Sequence, residues 1–377
     1  MQFKGRFDRS ALFLCLHARK GGPESGTPGT ASVSILERDA VLGVPFFGFS
    51  NLGFGAGSFI IPSMTLKRIS ILALALLTSI ALAGAADAQS KKKSPKKKKP
   101  AKKQSADFAF KGSEKILFKT TPQGKLHLHV FMPKGWKADD ARPGIVFFFG
   151  GGWSGGTPGQ FEQHCNYLAS RGMVAITAEY RVRSRHKTSP FECVEDGKSA
   201  VRWVRAHAGD LGIDPKRLAA GGGSAGGHVA AATATTNLDA KSDEHKDVSS
   251  IPNALALFNP VYDNGPKEYG HDRVKDRFNE ISPAHNIHKG MPPAIVFFGS
   301  KDSLVSVETA KRFQSKMREV GSKSVLKVTE GAGHGYFNYG RAGGKAFIET
   351  VTQMDEFFAE LGWLKGKPKV KEFVAAR

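Results

Sequence analysis

From about residue 105 onward, apolar residues fall into short uninterrupted runs, each closed off by glycine, proline or a polar cluster. Glu114 to Lys119 and Leu126 to Met132, separated by a Pro122–Gly124 turn, alternate polar and apolar positions and predict an opening pair of antiparallel strands. Six further runs follow: Ile145 to Phe149, Met173 to Ala178, Leu218 to Gly221, Ala254 to Phe258, Ala294 to Phe298 and Val325 to Val328. They are continuous rather than alternating, the pattern of strands buried on both faces. Helical spacing appears between them, over Phe161 to Ser170, Val194 to Ala208, Gly227 to Thr235, Ser306 to Val320 and Phe347 to Leu361. Alternation of this kind predicts an α/β domain over residues 106–377, with a mostly parallel sheet covered by helices on both faces. Ligands of such sheets bind beyond the carboxyl ends of the strands, so the chemistry is expected in the loops that follow them.

The loop after Leu218 to Gly221 reads Gly222-Gly223-Ser224-Ala225-Gly226 and runs into an alanine-rich helix. A nucleophilic serine needs a sharp strand-to-helix turn that exposes its Oγ, and the crowded backbone there tolerates only small neighbours. A merely structural glycine turn or a phosphate loop would read similarly, but no Gly-Lys-Ser/Thr ending is present. Ser224 is therefore the candidate nucleophile. Upstream, the run ending at Phe149 enters Gly150-Gly151-Gly152-Trp153-Ser154-Gly155-Gly156. Consecutive glycines let main-chain N–H groups converge on one oxygen, as an oxyanion hole requires. A serine also needs a base and an acid to orient it, in the chain order Ser, Asp, His for this architecture. Of the histidines after the elbow helix, only His334, in Gly331-Ala332-Gly333-His334-Gly335, lies just past a predicted strand. Asp302, in Gly299-Ser300-Lys301-Asp302, is the favoured acid, with Asp263 as its competitor. His228 is expected to support or pack, and His285-x-x-His288 sits among loop signals and is set aside as a metal site.

From about residue 114 to 361 the chain resembles the α/β-hydrolase superfamily, on its acetyl-esterase and hormone-sensitive-lipase-like side. The resemblance rests on the Gly150–Trp153 loop, Glu179-Tyr180-Arg181, Asp196 with Ala200-Val201-Arg202-Trp203, Gly212-Ile213-Asp214-Pro215, the Gly222–His228 elbow, Asp302 and Gly333-His334-Gly335. It implies an α/β-hydrolase fold, a serine carboxylesterase acting through Ser224, Asp302 and His334, and oxyanion donors at Gly151, Gly152 and Ala225. No cofactor or metal is implied. Two departures narrow the reading. The family loop usually begins with histidine, and Phe149 stands there. Only about ten residues separate the lysine tract from the first strand, which leaves no room for N-terminal cap helices. An open site and short acyl groups are expected, acetyl above all, on small or polysaccharide alcohols. The rivals are a prolyl-oligopeptidase-like peptidase and a catalytically inactive polyanion binder.

The N-terminal quarter changes the picture of location rather than of chemistry. Residues 1–63 show no sustained period and read as an unstructured, over-called extension, with translation expected to start at Met64. Lys67 and Arg68, the 14 apolar-rich residues Ile69 to Leu82 and the Ala86-Asp87-Ala88 site make residues 64–88 a signal peptide. The apolar run is too short to span a hydrocarbon core of roughly 30 Å as a stable membrane helix. Residues 89–105 form a lysine-rich linker with nine lysines between Lys91 and Lys103. The net charge of +21 is therefore uneven, with +12 in residues 1–103 and +9 in the rest. Over half of the basic excess lies outside the predicted domain, which argues against nucleic acid as the partner and suits contact with an anionic cell envelope. Export to the periplasm or beyond permits a disulfide between Cys165 and Cys193, or two buried thiols.

Overall fold

The computed structural model describes residues 107–377, with Glu244 excepted. The extension, the signal peptide and the lysine-rich linker expected from the sequence lie outside the described residues. Among the described residues no helix is long and apolar enough to cross a membrane.

Eight strands form one sheet: β1 Ser113–Thr121, β2 Gly124–Phe131, β3 Arg142–Phe148, β4 Val174–Ala178, β5 Ile213–Gly223, β6 Ala254–Phe258, β7 Ala294–Gly299 and β8 Ser324–Thr329. Their order is β1-β2-β4-β3-β5-β6-β7-β8. β2 pairs antiparallel with β1 and β4, and every other pairing is parallel. Each strand read from the hydrophobic pattern is present, displaced by a few residues at its ends. β5 is the most extended relative to expectation, because polar Asp214 to Arg217 precede its buried half.

The continuous hydrophobicity has a simple cause. Successive strand residues face opposite sides of a sheet, and here both sides are covered. In β3, Val146 and Phe148 join one buried cluster while Ile145 and Phe147 join the other. In β7, Val296 and Phe298 are likewise separated from Ile295 and Phe297. Helices α1 Glu162–Ser170 and α5 Lys345–Glu360 cover one face through residues such as Leu168, Val351 and Phe358. Helices α2 Pro190–Ala206, α3 Ala225–Thr235 and α4 Val307–Glu319 cover the other through Val201, Val229 and Phe313. α2 begins four residues before the apolar pattern suggests. Pro190 occupies its first turn, and the Glu192 carboxylate accepts from the Ser189 N–H at 2.8 Å.

The same two-faced arrangement resolves the cysteines. Cys165 on α1 and Cys193 on α2 belong to clusters on opposite sides of the sheet, and both are free buried thiols. Burial pushes both thiol pKa values up.

Several residues that carried the resemblance hold the sheet to its helices. Asp196, fully buried on α2, accepts from Lys119 of β1 at 2.8 Å and from the Arg181 guanidinium and main-chain N–H at 2.8 and 2.9 Å. Glu179 binds the ring nitrogens of His127 and His129 on β2, each at 3.1 Å. The stretch after β4 is thus clamped beside the glycine loop that follows β3.

Candidate active site

Ser224 occupies the turn between β5 and α3 with φ +54° and ψ −121°, a conformation that costs a non-glycine residue on the order of 1–3 kcal/mol. Hydrogen bonds hold it there. Its N–H donates to Phe258 O at 2.9 Å, and its carbonyl accepts from His228 N–H at 3.0 Å and Val261 N–H at 3.2 Å. The flanking glycines are steric requirements. A Cβ on Gly222 would lie 2.4 Å from Gly226 O, and one on Gly226 would lie 2.0 Å from Phe148 O.

His334 and Asp302 meet Ser224 from two other loops. His334 Nε2 lies 2.9 Å from Ser224 Oγ, and His334 Nδ1 lies 2.8 Å from Asp302 Oδ2. The second oxygen of Asp302 accepts from the N–H groups of Leu304 and Val305 at 2.9 and 3.0 Å. Burial alone would raise the Asp302 pKa, but the bonds from His334 and these two N–H groups outweigh it and hold the carboxyl below its ordinary 3.8. The acid and histidine loops are laced together: Ser300 N–H donates to Thr329 O at 3.0 Å and Lys301 N–H to Ala332 O at 2.9 Å. Gly299 permits the approach, since a Cβ there would fall 2.2 Å from Ala332 O.

The competing residues go elsewhere. Asp263 accepts from Gly265 N–H at 2.8 Å and faces His285 at 3.7 Å and Arg312 at 3.8 Å. His271 binds Asn264 O at 2.9 Å, and His288 binds Ala234 O at 3.0 Å. Among the described residues no group of three or more His, Cys, Asp or Glu side chains could hold a metal ion.

The glycine loop is held by its own hydrogen bonds and by a buried tryptophan. Gly151 and Gly152 adopt φ +125° and +56°, and Gly151 O accepts from Ser154 and Gly155 N–H groups at 3.0 and 3.1 Å. Trp153 is buried, and its Nε1–H donates to His228 Nδ1 at 3.3 Å. Burial pushes the His228 pKa down to about 4, so the ring is neutral and can accept. His228, expected from the sequence to support or pack, is the anchor of this loop. The N–H groups of Gly151 and Gly152 donate to no acceptor among the described residues. Both glycines line the cavity of about 370 Å³ that opens beside Ser224 and His334. Ala225, the first residue of α3, follows the serine directly, and the first N–H groups of a helix have no intrahelical acceptor.

Sequence reasoning missed three contributors. Asn259, buried just after β6, accepts from Gly335 N–H at 3.1 Å and places its Nδ2 3.3 Å from His334 Nε2. Gln160 accepts from Gly150 N–H at 2.6 Å and donates to Asn338 Oδ1 at 2.9 Å, joining the glycine loop to the histidine loop. The β6–β7 connection brings Tyr269 and Arg273 to the cavity wall. None follows a motif, and only the position of Asn259 past a strand end could have drawn notice.

Comparison with known proteins places the chain among esterases. The family model described as BD-FAE matches residues 128–261, and that of the dienelactone hydrolase family matches residues 264–371. A thermophilic esterase from the planctomycete Thermogutta terrifontis, solved with propionate bound, is 43% identical with a TM-score of 0.65; the match covers 68% of this chain and 97% of that one. The esterase 2 of that organism has also been solved phosphorylated by paraoxon, at 44% identity, a TM-score of 0.65 and the same two coverages. Esterase LipC of Mycobacterium tuberculosis is 30% identical over 217 residues, 52% of this chain and 53% of LipC. The chain thus spans about half the length of the curated relatives it matches.

Proposed function

The chain belongs to the α/β-hydrolase carboxylesterases, and from that premise we propose that it hydrolyses short-chain acyl esters through Ser224, His334 and Asp302. The observation that carries this reading is the continuous pair of contacts on His334, 2.9 Å to the serine and 2.8 Å to the aspartate. In the reaction, His334 Nε2 takes the Ser224 proton as Oγ attacks the ester carbonyl. Asp302 keeps the imidazole oriented and balances the charge it gains. The N–H groups of Gly151, Gly152 and Ala225 receive the tetrahedral oxyanion. His334 returns the proton to the departing alcohol, leaving an acyl-serine. Water, deprotonated by the same histidine, then releases the acid.

Short acyl groups are favoured by the modest cavity, and acetyl esters on polysaccharides are the specific substrates proposed. Hydrolysis of 4-nitrophenyl acetate or propionate tests the chemistry. Ser224→Ala is expected to lower it by about 10³-fold or more with the fold retained. Paraoxon treatment is expected to phosphorylate Ser224, found by peptide mass spectrometry, as the esterase of Thermogutta terrifontis is phosphorylated. An inactive wild type, or label on another residue, defeats the proposal. Acetate release from a panel of acetylated polysaccharides tests the narrower substrate.

Export is proposed with it, from the signal-like Met64–Ala88 segment, with Lys91 to Lys103 touching an anionic envelope. Terminal sequencing of the native protein is expected to begin at Gln89. Peptides from residues 1–63 in that protein would overturn this part.

A further inference from the structure

The charges around the opening go further than the reaction requires. The cavity beside Ser224 and His334 is lined by two guanidinium groups, Arg273 and Arg341, and by no carboxylate side chain among the described residues. An adjoining cavity of about 280 Å³ shares Gly152, Ser154 and Arg273 with it and adds Arg183, with Asp272 as its one carboxylate. None of these three arginines has an acid within 4.0 Å among the described residues. Elsewhere in the domain arginines fall both ways: Arg171, Arg181, Arg202 and Arg312 are paired with carboxylates, while Arg185, Arg205 and Arg318 have no acid within 4.0 Å among the described residues. What marks Arg273 and Arg341 is that both line the cavity of Ser224.

Arg273 is also held in place. One of its terminal nitrogens donates to Gly152 O, and its guanidinium carbon sits 5.7 Å from the Trp153 ring centre and 5.6 Å from that of Tyr269. Its one donated bond leaves further N–H groups free to donate. Arg341 enters from the histidine loop, where its main-chain N–H binds Asn338 O at 3.1 Å. Its guanidinium donates to no protein acceptor among the described residues. If bracing the glycine loop were the only purpose, Arg273 would suffice. Both guanidinium groups are exposed at the mouth of a cavity whose lining holds no carboxylate among the described residues, so a bound anion would meet two cations and no opposing charge there, and the planar fork of arginine matches a carboxylate.

We infer that this site selects esters whose acyl or alcohol half carries a carboxylate, received by Arg273 and Arg341 while the ester carbonyl lies at Ser224. The inference rests on the esterase reading and adds a charge requirement to it. Half-esters of dicarboxylic acids and acyl esters of hydroxy or uronic acids have this chemistry. Tyr269, Leu304 and Phe337 on the cavity walls still allow neutral esters to bind, with lower preference.

Two matched pairs of substrates separate the arms. Mono-4-nitrophenyl adipate and its methyl ester place the carboxylate on the acyl half, and 4-acetoxybenzoate and its methyl ester place it on the alcohol half. After correction for uncatalysed hydrolysis, kcat/KM at low salt is expected to favour the carboxylate about fivefold or more in at least one pair. That preference should fade at about 0.5 M NaCl, where the screening length is only a few ångströms. In that pair, the Arg273→Gln/Arg341→Gln variant should lower the ratio of carboxylate to methyl ester about fivefold, toward unity, and Arg341→Glu should lower it as well. Because the salt titration uses wild-type protein, it reads the charge requirement even if a variant fails to fold. Equal hydrolysis within both pairs, or a ratio that neither salt nor Arg341→Glu changes, overturns the inference and leaves the esterase reading intact. Failure to hydrolyse any of the four, or 4-nitrophenyl acetate, overturns both.

Discussion

Tyr180 stacks on Phe149 with ring centres 4.2 Å apart and planes 19° from parallel, and its hydroxyl donates to the Phe149 carbonyl at 2.5 Å. Phe149 stands where the wider family usually has histidine, at the start of the glycine loop. Here the loop is supported by an aromatic stack and one buried hydrogen bond. Burial pushes the Tyr180 pKa well above 10, so the hydroxyl stays protonated and able to donate. Tyr180→Phe keeps the stack but leaves a buried carbonyl without its donor, a loss of about 1–3 kcal/mol. Urea denaturation should register that loss. A Tyr180→Phe variant as stable as wild type would show that the bond contributes nothing.

The elbow glycines offer a sharper steric test. Gly226→Ala must move the Phe148 carbonyl, which lies 2.0 Å from the added Cβ, and with it the strand that feeds the glycine loop. Loss of more than about 2 kcal/mol of stability and most of the esterase activity is expected. Gly209→Ala, where an added Cβ meets nothing within 4 Å, should change neither by much. Comparable behaviour of the two variants in thermal unfolding and 4-nitrophenyl ester assays would contradict the steric account.

Asp196 does not line the cavity and balances charge within the core. It is fully buried between Lys119 and Arg181, so Asp196→Ala removes the acid they share and leaves Lys119 only its bond to Ser199 and Arg181 only its contacts with Gln123 and Glu195. Breaking one side of a buried network typically costs about 3–5 kcal/mol. The midpoint of chemical denaturation should fall accordingly. A small shift would mean that water or a rearranged acid replaces the carboxylate.

Asp302 links stability to pH in a definite direction. Its folded-state pKa is held below 3.8, so its contribution to stability is present above the unfolded value and is lost as pH falls through the folded one. Asp302→Asn should therefore lose the part of the acid-side decline in stability that this carboxylate contributes below about pH 4. It should also reduce kcat by about 10⁴-fold at neutral pH, because an amide cannot hold the imidazole in the required tautomer. Urea midpoints measured across acid pH, together with kcat at pH 7, check both halves. An unchanged acid slope would remove the carboxylate from the stability argument.

Much of this molecule can be read along the chain because local patterns record burial. Runs such as Ala254 to Phe258 and Ala294 to Phe298 are continuous because both faces of the sheet are covered, and six of the eight strands follow from that, the opening pair from its alternation. The glycines of the elbow are visible for a related reason: two backbones pass within contact distance there, which only small residues tolerate. Ser224, Asp302 and His334 each follow a strand that the pattern identifies, so all three were nominated before any contact was known. Their mutual distances were not.

Tertiary structure decided whatever depends on residues far apart in sequence. It directed Asp302 rather than Asp263 to His334, and it set Cys165 and Cys193 on opposite faces of the sheet as free thiols. It brought Asn259 and Gln160 to the loops they brace, and turned Arg273 and Arg341 toward one opening. A single polar side chain in a loop leaves no periodic trace of its partner. Only the closing of the chain around its sheet gives it one.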